Sequence, residues 1–283
     1  MNVEQLAAID VHVHLEHAGV PTDADQAAQK YFGATAAAGA DALAEYYRSR
    51  RMACVVFTVD ERLTGRPHVT NDAVLDFARA NPDIVIPFAS VDPTRGTPAV
   101  AEAKRLIAAG ARGLKLHPPV QQFFANDRVV YPLYELFAAA RLPVLIHTGH
   151  SGIGTGMPGG GGIRLKYGNP MYIDDVAVDF PELSIIMAHP SFPWQDEAIS
   201  ICLHKPSVYI DLSGWSPKYF SPTLVQYANT RLKTKVLFGS DYPWITPDRW
   251  LSDFEKIDIR PDVRPLVLKD NAVRLFGLDF KTI

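Results

Sequence analysis

Ala8-Ile9-Asp10-Val11-His12-Val13-His14-Leu15 is apolar, β-branched and carries two histidines two residues apart. In an extended strand successive side chains alternate, so His12 and His14 share one face and Val11 and Val13 the other. Two imidazoles projecting from one rigid strand supply half of a metal site. A short His-x-His also arises by chance, with one ring satisfied in the core and the other at the surface. The rest of the chain has to supply the remaining ligands.

Outward from this stretch, an apolar run followed by a helical pattern recurs. Strands are expected over 53–59, 84–91, 113–117, 143–147, 183–189, 208–212 and 236–241. Helices are expected over 38–51, 70–80 (N-cap Thr70 or Asn71), 97–109, 131–140, 174–180, 194–203 and 221–229, with helical segments near 249–256 and 264–276. Residues 16–35 read as an excursion above the first strand end. Strand runs apolar on both faces suit parallel strands covered by helices. Eight such units in 283 residues, with no linker-like break, match a single-domain (β/α)8 TIM barrel spanning 1–283. An open doubly wound sheet is the alternative. It is weakened because no Gly-x-Gly-x-x-Gly follows the first strand.

Composition narrows the function classes. The net charge of −3 offers no electrostatic footprint for nucleic acid or an anionic membrane. Cys54 and Cys202 are the only cysteines, which excludes a disulfide framework and a thiolate cluster. The first residues lack a secretion-signal pattern, and no apolar run approaches the roughly 18 residues of a membrane span. A cytoplasmic protein is expected.

Polar residues recur where the expected strands end. His12 and His14 close the first, Lys115 and His117 the fourth, His147 the fifth, His189 the sixth and Asp241 the eighth. On the expected parity Leu145 pairs with His147, Ile185 and Met187 with His189, and Gly239 with Asp241, the glycine leaving space below the carboxylate. A barrel carries its chemistry at these strand ends. Each histidine alone reads as a satisfied buried imidazole. A ring of them around one mouth is better explained by a shared ligand, since an unpartnered buried polar group costs roughly 1–3 kcal/mol. Imidazole and carboxylate without thiolate suit a catalytic divalent ion.

Asp10-x-His12-x-His14, His147, His189, Gly-Ser-Asp241-Tyr-Pro and the terminal Asn271-Ala-x-Arg-Leu-Phe together resemble the amidohydrolase superfamily. The branch they most resemble is the amidohydrolase-2 group, which includes aminocarboxymuconate-semialdehyde decarboxylase and related aromatic-acid decarboxylases and hydrolases. The resemblance implies that His12, His14, His147 and Asp241 hold one divalent metal, zinc first and manganese as the alternative. It implies that His189 is the acid/base. It also implies a second arrangement, in which a carboxylated Lys115 bridges two ions and His189 becomes a ligand. A homodimer is normal for the family.

Around the mouth, Trp194, Trp215 and Trp244 follow strand ends and suit a flat apolar substrate, or else cover the barrel top. The loop His150-Ser-Gly-Ile-Gly-Thr-Gly-Met-Pro-Gly-Gly-Gly-Gly-Ile-Arg164-Leu-Lys166-Tyr has no Walker pattern. Its His150, Arg164 and Lys166, with Lys115 and His117, are the candidate contacts to an acidic group. The same stretch faintly resembles proteins assigned as 4-hydroxyphenyl-β-ketoacyl-CoA hydrolases. His68 and His204 read as surface or packing residues, and His17 is left open. The leading expectation is a metal-dependent hydrolase of a small aromatic or ring-cleavage-derived carboxylic acid, β-ketoacyl or lactone substrate, with His189 managing the proton and Asp241 both ligand and catalytic relay. Non-oxidative decarboxylation and a non-catalytic metal-binding barrel are the alternatives.

Overall fold

The computed structural model describes residues 1–16, 21–34, 39–66 and 69–278. His17 and His68 lie outside the described residues, as do residues 17–20 and 35 of the expected 16–35 excursion and residue 38 of the expected 38–51 helix. Nine strand segments run in chain order: β1 (Ala8–His14), β2 (Met52–Phe57), β3 (Val85–Pro87), β4 (Ala89–Ser90), β5 (Leu114–Leu116), β6 (Val144–His147), β7 (Ile185–Ala188), β8 (Val208–Asp211) and β9 (Val236–Leu237). All pairings are parallel, in the orders β1-β2-β3 and β4-β5-β6-β7-β8-β9. β3 and β4 are one barrel strand divided at Phe88, whose N–H reaches Val56 while Ala89 N–H reaches Gly113. The ring closes through Val11 N–H to Phe238 O at 2.9 Å, His14 N–H to Tyr242 O at 2.8 Å and Asp241 N–H to His12 O at 3.0 Å. Eight strands and a closed ring make a (β/α)8 barrel.

The covering helices are α1 (Asp23–Phe32), α2 (Ala40–Ser49), α3 (Asn71–Ala80), α4 (Thr97–Ala108), α5 (Pro118–Gln121), α6 (Tyr131–Ala139), α7 (Met171–Asp179), α8 (Gln195–His204), α9 (Pro222–Ala228), α10 (Pro247–Phe254) and α11 (Asn271–Phe276). Helices cover the ring by burying an apolar stripe, and α1, α3, α9 and α10 start on a side-chain N-cap from Thr22, Thr70, Ser221 and Thr246. Thr70 caps α3 by accepting from Ala73 N–H; Asn71 instead ties the helix start to Ser90. α1 is the departure from expectation. Thr22 and Asp25 form a reciprocal capping box, so part of the supposed excursion is an ordered helix. Among the described residues no helix is long and apolar enough to cross a membrane.

Two apolar layers result. Leu114, Leu116, Val144, Ile146, Ile185, Met187, Val208, Ile210 and Val236 face the helices. Ile9, Val11, Ala53, Val55, Leu145, Ile186, Ala188 and Leu237 fill the barrel, plugged below by Leu6, Val273 and Phe276. This corrects two expected parities. Val11 faces inward with Ile9, and an extra residue in β1 between Asp10 and Val13 shifts the register so that Val13 faces the helices and the two valines do not share a layer. Ile185 and Met187 point outward, and His189 reaches the mouth only because its φ of 72° reverses the alternation.

Asp10 pins the closure. Its buried carboxylate accepts from Tyr47 OH at 2.7 Å, Ser240 N–H at 2.9 Å, Ser240 OH at 2.6 Å and His12 N–H at 3.1 Å. Burial pushes its pKa up to about 7 against the pull of these donors. Asp10→Ala leaves four donors without an acceptor and is expected to destabilise the fold by about 3 kcal/mol or more. Urea unfolding measures this, and a midpoint equal to wild type would remove Asp10 from the role.

Candidate metal centre and active site

The mouth gathers side chains from six strand ends. Asp241 Oδ1 lies 3.3 Å from His12 Nε2 and 3.2 Å from His14 Nε2. Donor atoms of His12, His189 and Asp241 all fall within 4.8 Å of one another. His189 Nε2 is 3.0 Å from His147 Nδ1, and the His117 ring stacks on His147 at 3.9 Å. The structure therefore brings His12, His14, His147, His189 and Asp241 together, with His189 as close to the donor cluster as any expected ligand.

A second set of residues props the first. Asp211, at the end of β8, stands 2.9 Å from His12 Nδ1 through Oδ2. Its Oδ1 accepts from Ser213 N–H at 2.9 Å and from His189 N–H at 3.2 Å. Asp241 shares the left-handed turn of His189, with φ 73°. Such residues cost roughly 1–3 kcal/mol and persist where surroundings over-determine them; here the backbone bonds of His189 and Asp241 to Asp211 and His12 do so. Gly239 makes room for Ser213 and His12: a Cβ there would meet Ser213 Cβ at 2.9 Å and His12 Cβ at 3.0 Å. Sequence reading gave Asp211 and Ser213 no role. The signal was present, because Asp211 also ends an apolar run and Ser213 follows two residues on, the spacing of a side chain that caps its own turn.

Burial sets the protonation of the cluster. It pushes His14 down to about 3 and holds His12, His117 and His147 well below the ordinary imidazole value, with the Lys115 charge adding to the effect. His189 is also lowered, by burial. Neutral imidazoles are the form that binds metals. Burial pushes Asp241 up to about 7, a carboxylate short of positive charge. His147 Nε2 and His117 Nδ1 are buried without a hydrogen-bond partner. His12 keeps Nδ1 against Asp211, the carboxylate–histidine arrangement that leaves Nε2 for an ion. These are the features a divalent cation would satisfy, and the residues fit one.

Above the donors is a pocket that opens to solvent. His117, His150, Trp215 and Trp244 line it with the ligand candidates, as do Tyr31 and Phe32 of α1. Phe32 stacks on Trp244 at 5.8 Å, and Tyr31 lies 5.8 Å from His150. Sequence reading missed this wall because α1 was taken as irregular. Arg66 holds the helix start, pairing with Asp25 at 2.5 Å and Glu16 at 3.0 Å. Four expected substrate contacts do not line the pocket. Lys115 lies fully buried beneath it, Nζ 3.1 Å from His12 Nε2, because its inward side chain sits below the donor ring. Arg164 is exposed, as is Lys166 over the rings of Phe124 and Tyr167, charges kept in water. Trp194 precedes α8 and is half-buried away from the cavity. His204 is exposed on α8, as expected.

The chain covers 95% of itself and 98% of an uncharacterised TIM-barrel protein of Bordetella bronchiseptica, at a TM-score of 0.78 and 24% identity. It covers 97% of itself and 99% of 2,6-dihydroxybenzoate decarboxylase from Rhizobium, at 0.71 and 15%. A probable 2-pyrone-4,6-dicarboxylic acid hydrolase of Acinetobacter baumannii aligns at 0.63 and 17%, over 98% of this chain and all of that one. These likenesses show the fold. Protein fluG of Emericella nidulans is 25% identical over 165 residues, 54% of this chain, so the chain spans only 18% of that relative's length. A family model described as Amidohydrolase matches residues 9–278, the whole barrel with its ring of donors, and the chain belongs to the amidohydrolase family.

Proposed function

We propose that this chain is a metal-dependent hydrolase acting on a carbonyl of a small, flat, aromatic or ring-cleavage-derived substrate. The observation that carries it is the convergence of His12 Nε2, His14 Nε2 and Asp241 Oδ1 beside His189, beneath an aromatic wall. His12, His14 and Asp241 would hold the ion, with the unpartnered His147 Nε2 as fourth donor. A divalent ion bound there supplies Lewis acidity, which polarises a carbonyl and makes water a better acid. Zinc suits the nitrogen-rich donor set, and manganese is the alternative; a solved relative, 5-carboxyvanillate decarboxylase from Novosphingobium aromaticivorans, has manganese bound.

The chain's own groups divide the remaining work. His189, buried and neutral, takes a proton from the attacking water and returns it to the leaving group. Trp215, Trp244, Tyr31 and Phe32 stack against the flat substrate and exclude bulk water. Among the described residues no Arg or Lys lines this pocket, so a substrate carboxylate would find no cationic side chain there, whereas a neutral carbonyl needs none. This favours hydrolysis. Decarboxylation is the second reading, supported by the aromatic wall and the named activities of two of the similar structures.

Three measurements test the reading. Elemental analysis is expected to find about one divalent ion per chain, lost in His12→Ala; full metal in that variant would break the model. His189→Ala is expected to keep the ion and lose about 10²–10⁴-fold in rate, whereas loss of the ion would make His189 a ligand. Lactone, β-keto and aromatic acids offered to the enzyme are expected to yield hydrolytic products; stoichiometric CO₂ instead would establish the decarboxylase. Lys115 gives a fourth test. Its amine, lowered by burial to about 8, occupies the His12 Nε2 lone pair. Two like charges some 4 Å apart repel by roughly 4 kcal/mol at an effective dielectric of 20. Lys115→Met is therefore expected to tighten metal binding at least about tenfold, and weakened binding or a lost second ion would instead support the carboxylated bridge.

A further inference from the structure

Ser213 is fully buried, two residues beyond β8. Its Oγ is 2.9 Å from His189 Nδ1, 3.0 Å from His12 Nδ1 and in short contact with Asp211 Oδ1. The hydrogens in this cluster can be counted. A carboxylate brings none, so the hydrogen between Ser213 and Asp211 is the hydroxyl's own. With it committed, Oγ has only lone pairs for the two rings, and each neighbouring nitrogen must carry its hydrogen. His12 passes an independent check at both ends. Its Nδ1 also faces Asp211 Oδ2 at 2.9 Å, an acceptor, and its Nε2 faces the Lys115 amine at 3.1 Å, a donor.

We propose that Ser213 is the positioning residue that locks His189 in the Nδ1–H tautomer, making Nε2 the basic nitrogen of the ring, turned toward His147. The consequence extends to the next ring. His147 Nδ1 lies 3.0 Å from His189 Nε2 and must donate to it, which places the His147 lone pair on Nε2, the atom without a partner. One hydroxyl thus sets the tautomers of two rings delivered by β6 and β7. The backbone keeps its approach open: Gly214 has φ +72°, and a Cβ there would meet His189 Nδ1 at 2.5 Å. The value of this lock rests on the reading of His189 as the proton-transfer group, but the tautomer itself is measured without turnover.

The test is nitrogen-15 NMR of imidazole-labelled, zinc-loaded protein, with the His189 signals identified by their loss in His189→Gln. Wild type is expected to show hydrogen on His189 Nδ1. Ser213→Ala is expected to move that ring toward the Nε2–H form and to keep its zinc, because His12 retains Asp211. Its kcat should fall about 10- to 100-fold, the usual range for a lost supporting partner, with KM little changed. Ser213→Thr, which keeps the hydroxyl, is expected to hold the wild-type pattern. An Nε2–H ring in wild type overturns the proposal, as does a tautomer unmoved in Ser213→Ala whatever the rate. If His189→Ala instead keeps the full rate, the proton-transfer reading fails while the tautomer result stands.

Discussion

Asp211 takes up both oxygens in hydrogen bonds, and the geometry of the mouth depends on it. One oxygen faces His12; the other accepts from the backbone of His189 and from Ser213. A carboxylate fully removed from water is costly unless its lone pairs are filled. Here they are filled by the groups whose orientation the site requires. The same bonds hold the left-handed turn that brings His189 inward, so they offset both its backbone strain and the carboxylate's desolvation. Asp10 does the corresponding work two strands round the ring, joining β1 to the residue before Asp241.

The barrel beneath is the reason such an arrangement holds still. Apolar side chains close-pack the lower barrel, and the donors stand on rigid strand ends. Phe57 forms part of the floor, its ring edge-on to His12 and His14 at 5.0 and 4.8 Å, with the Lys115 ammonium over its face at 4.7 Å. Low polarity around the donors keeps the imidazoles neutral and the Asp241 proton tight. A cation reverses that balance for the carboxylate without demanding protonated histidines. The wall above is built differently. α1 lies across the mouth on a capping box and the Arg66 ion pairs, so the aromatic side of the pocket depends on contacts far apart in the chain.

Much of the barrel was legible from the chain, because parallel strands buried on both faces leave unbroken apolar runs and their ends are marked by polar residues. The run ending at His147 kept the alternation that two-residue periodicity demands. Those around Val11 and His189 did not, for one carries an inserted residue and the other a positive φ. Neither is marked by a glycine, since any residue can occupy a bulge and histidine and aspartate enter the left-handed region more readily than most side chains. α1 was missed because a ten-residue helix with a short apolar stripe gains its stability from what it covers.

By itself the sequence determined which chemical groups are available and in what order the strands deliver them. Histidine and carboxylate at successive strand ends, without thiolate, specify a nitrogen- and oxygen-rich centre, and this follows from side-chain chemistry alone. Only the tertiary structure decided which nitrogen of each ring faces the centre, which charges stay outside and which residues support the donors. Those outcomes depend on distances between residues as far apart as His12 and Ser213, and on their shared exclusion from water. Lys115 and Arg164 show the difference. In sequence both are cations near a strand end or a mobile-looking loop. In the fold one is buried against His12 and the other stands in solvent, because packing, and not residue type, sets how far each lies from the pocket.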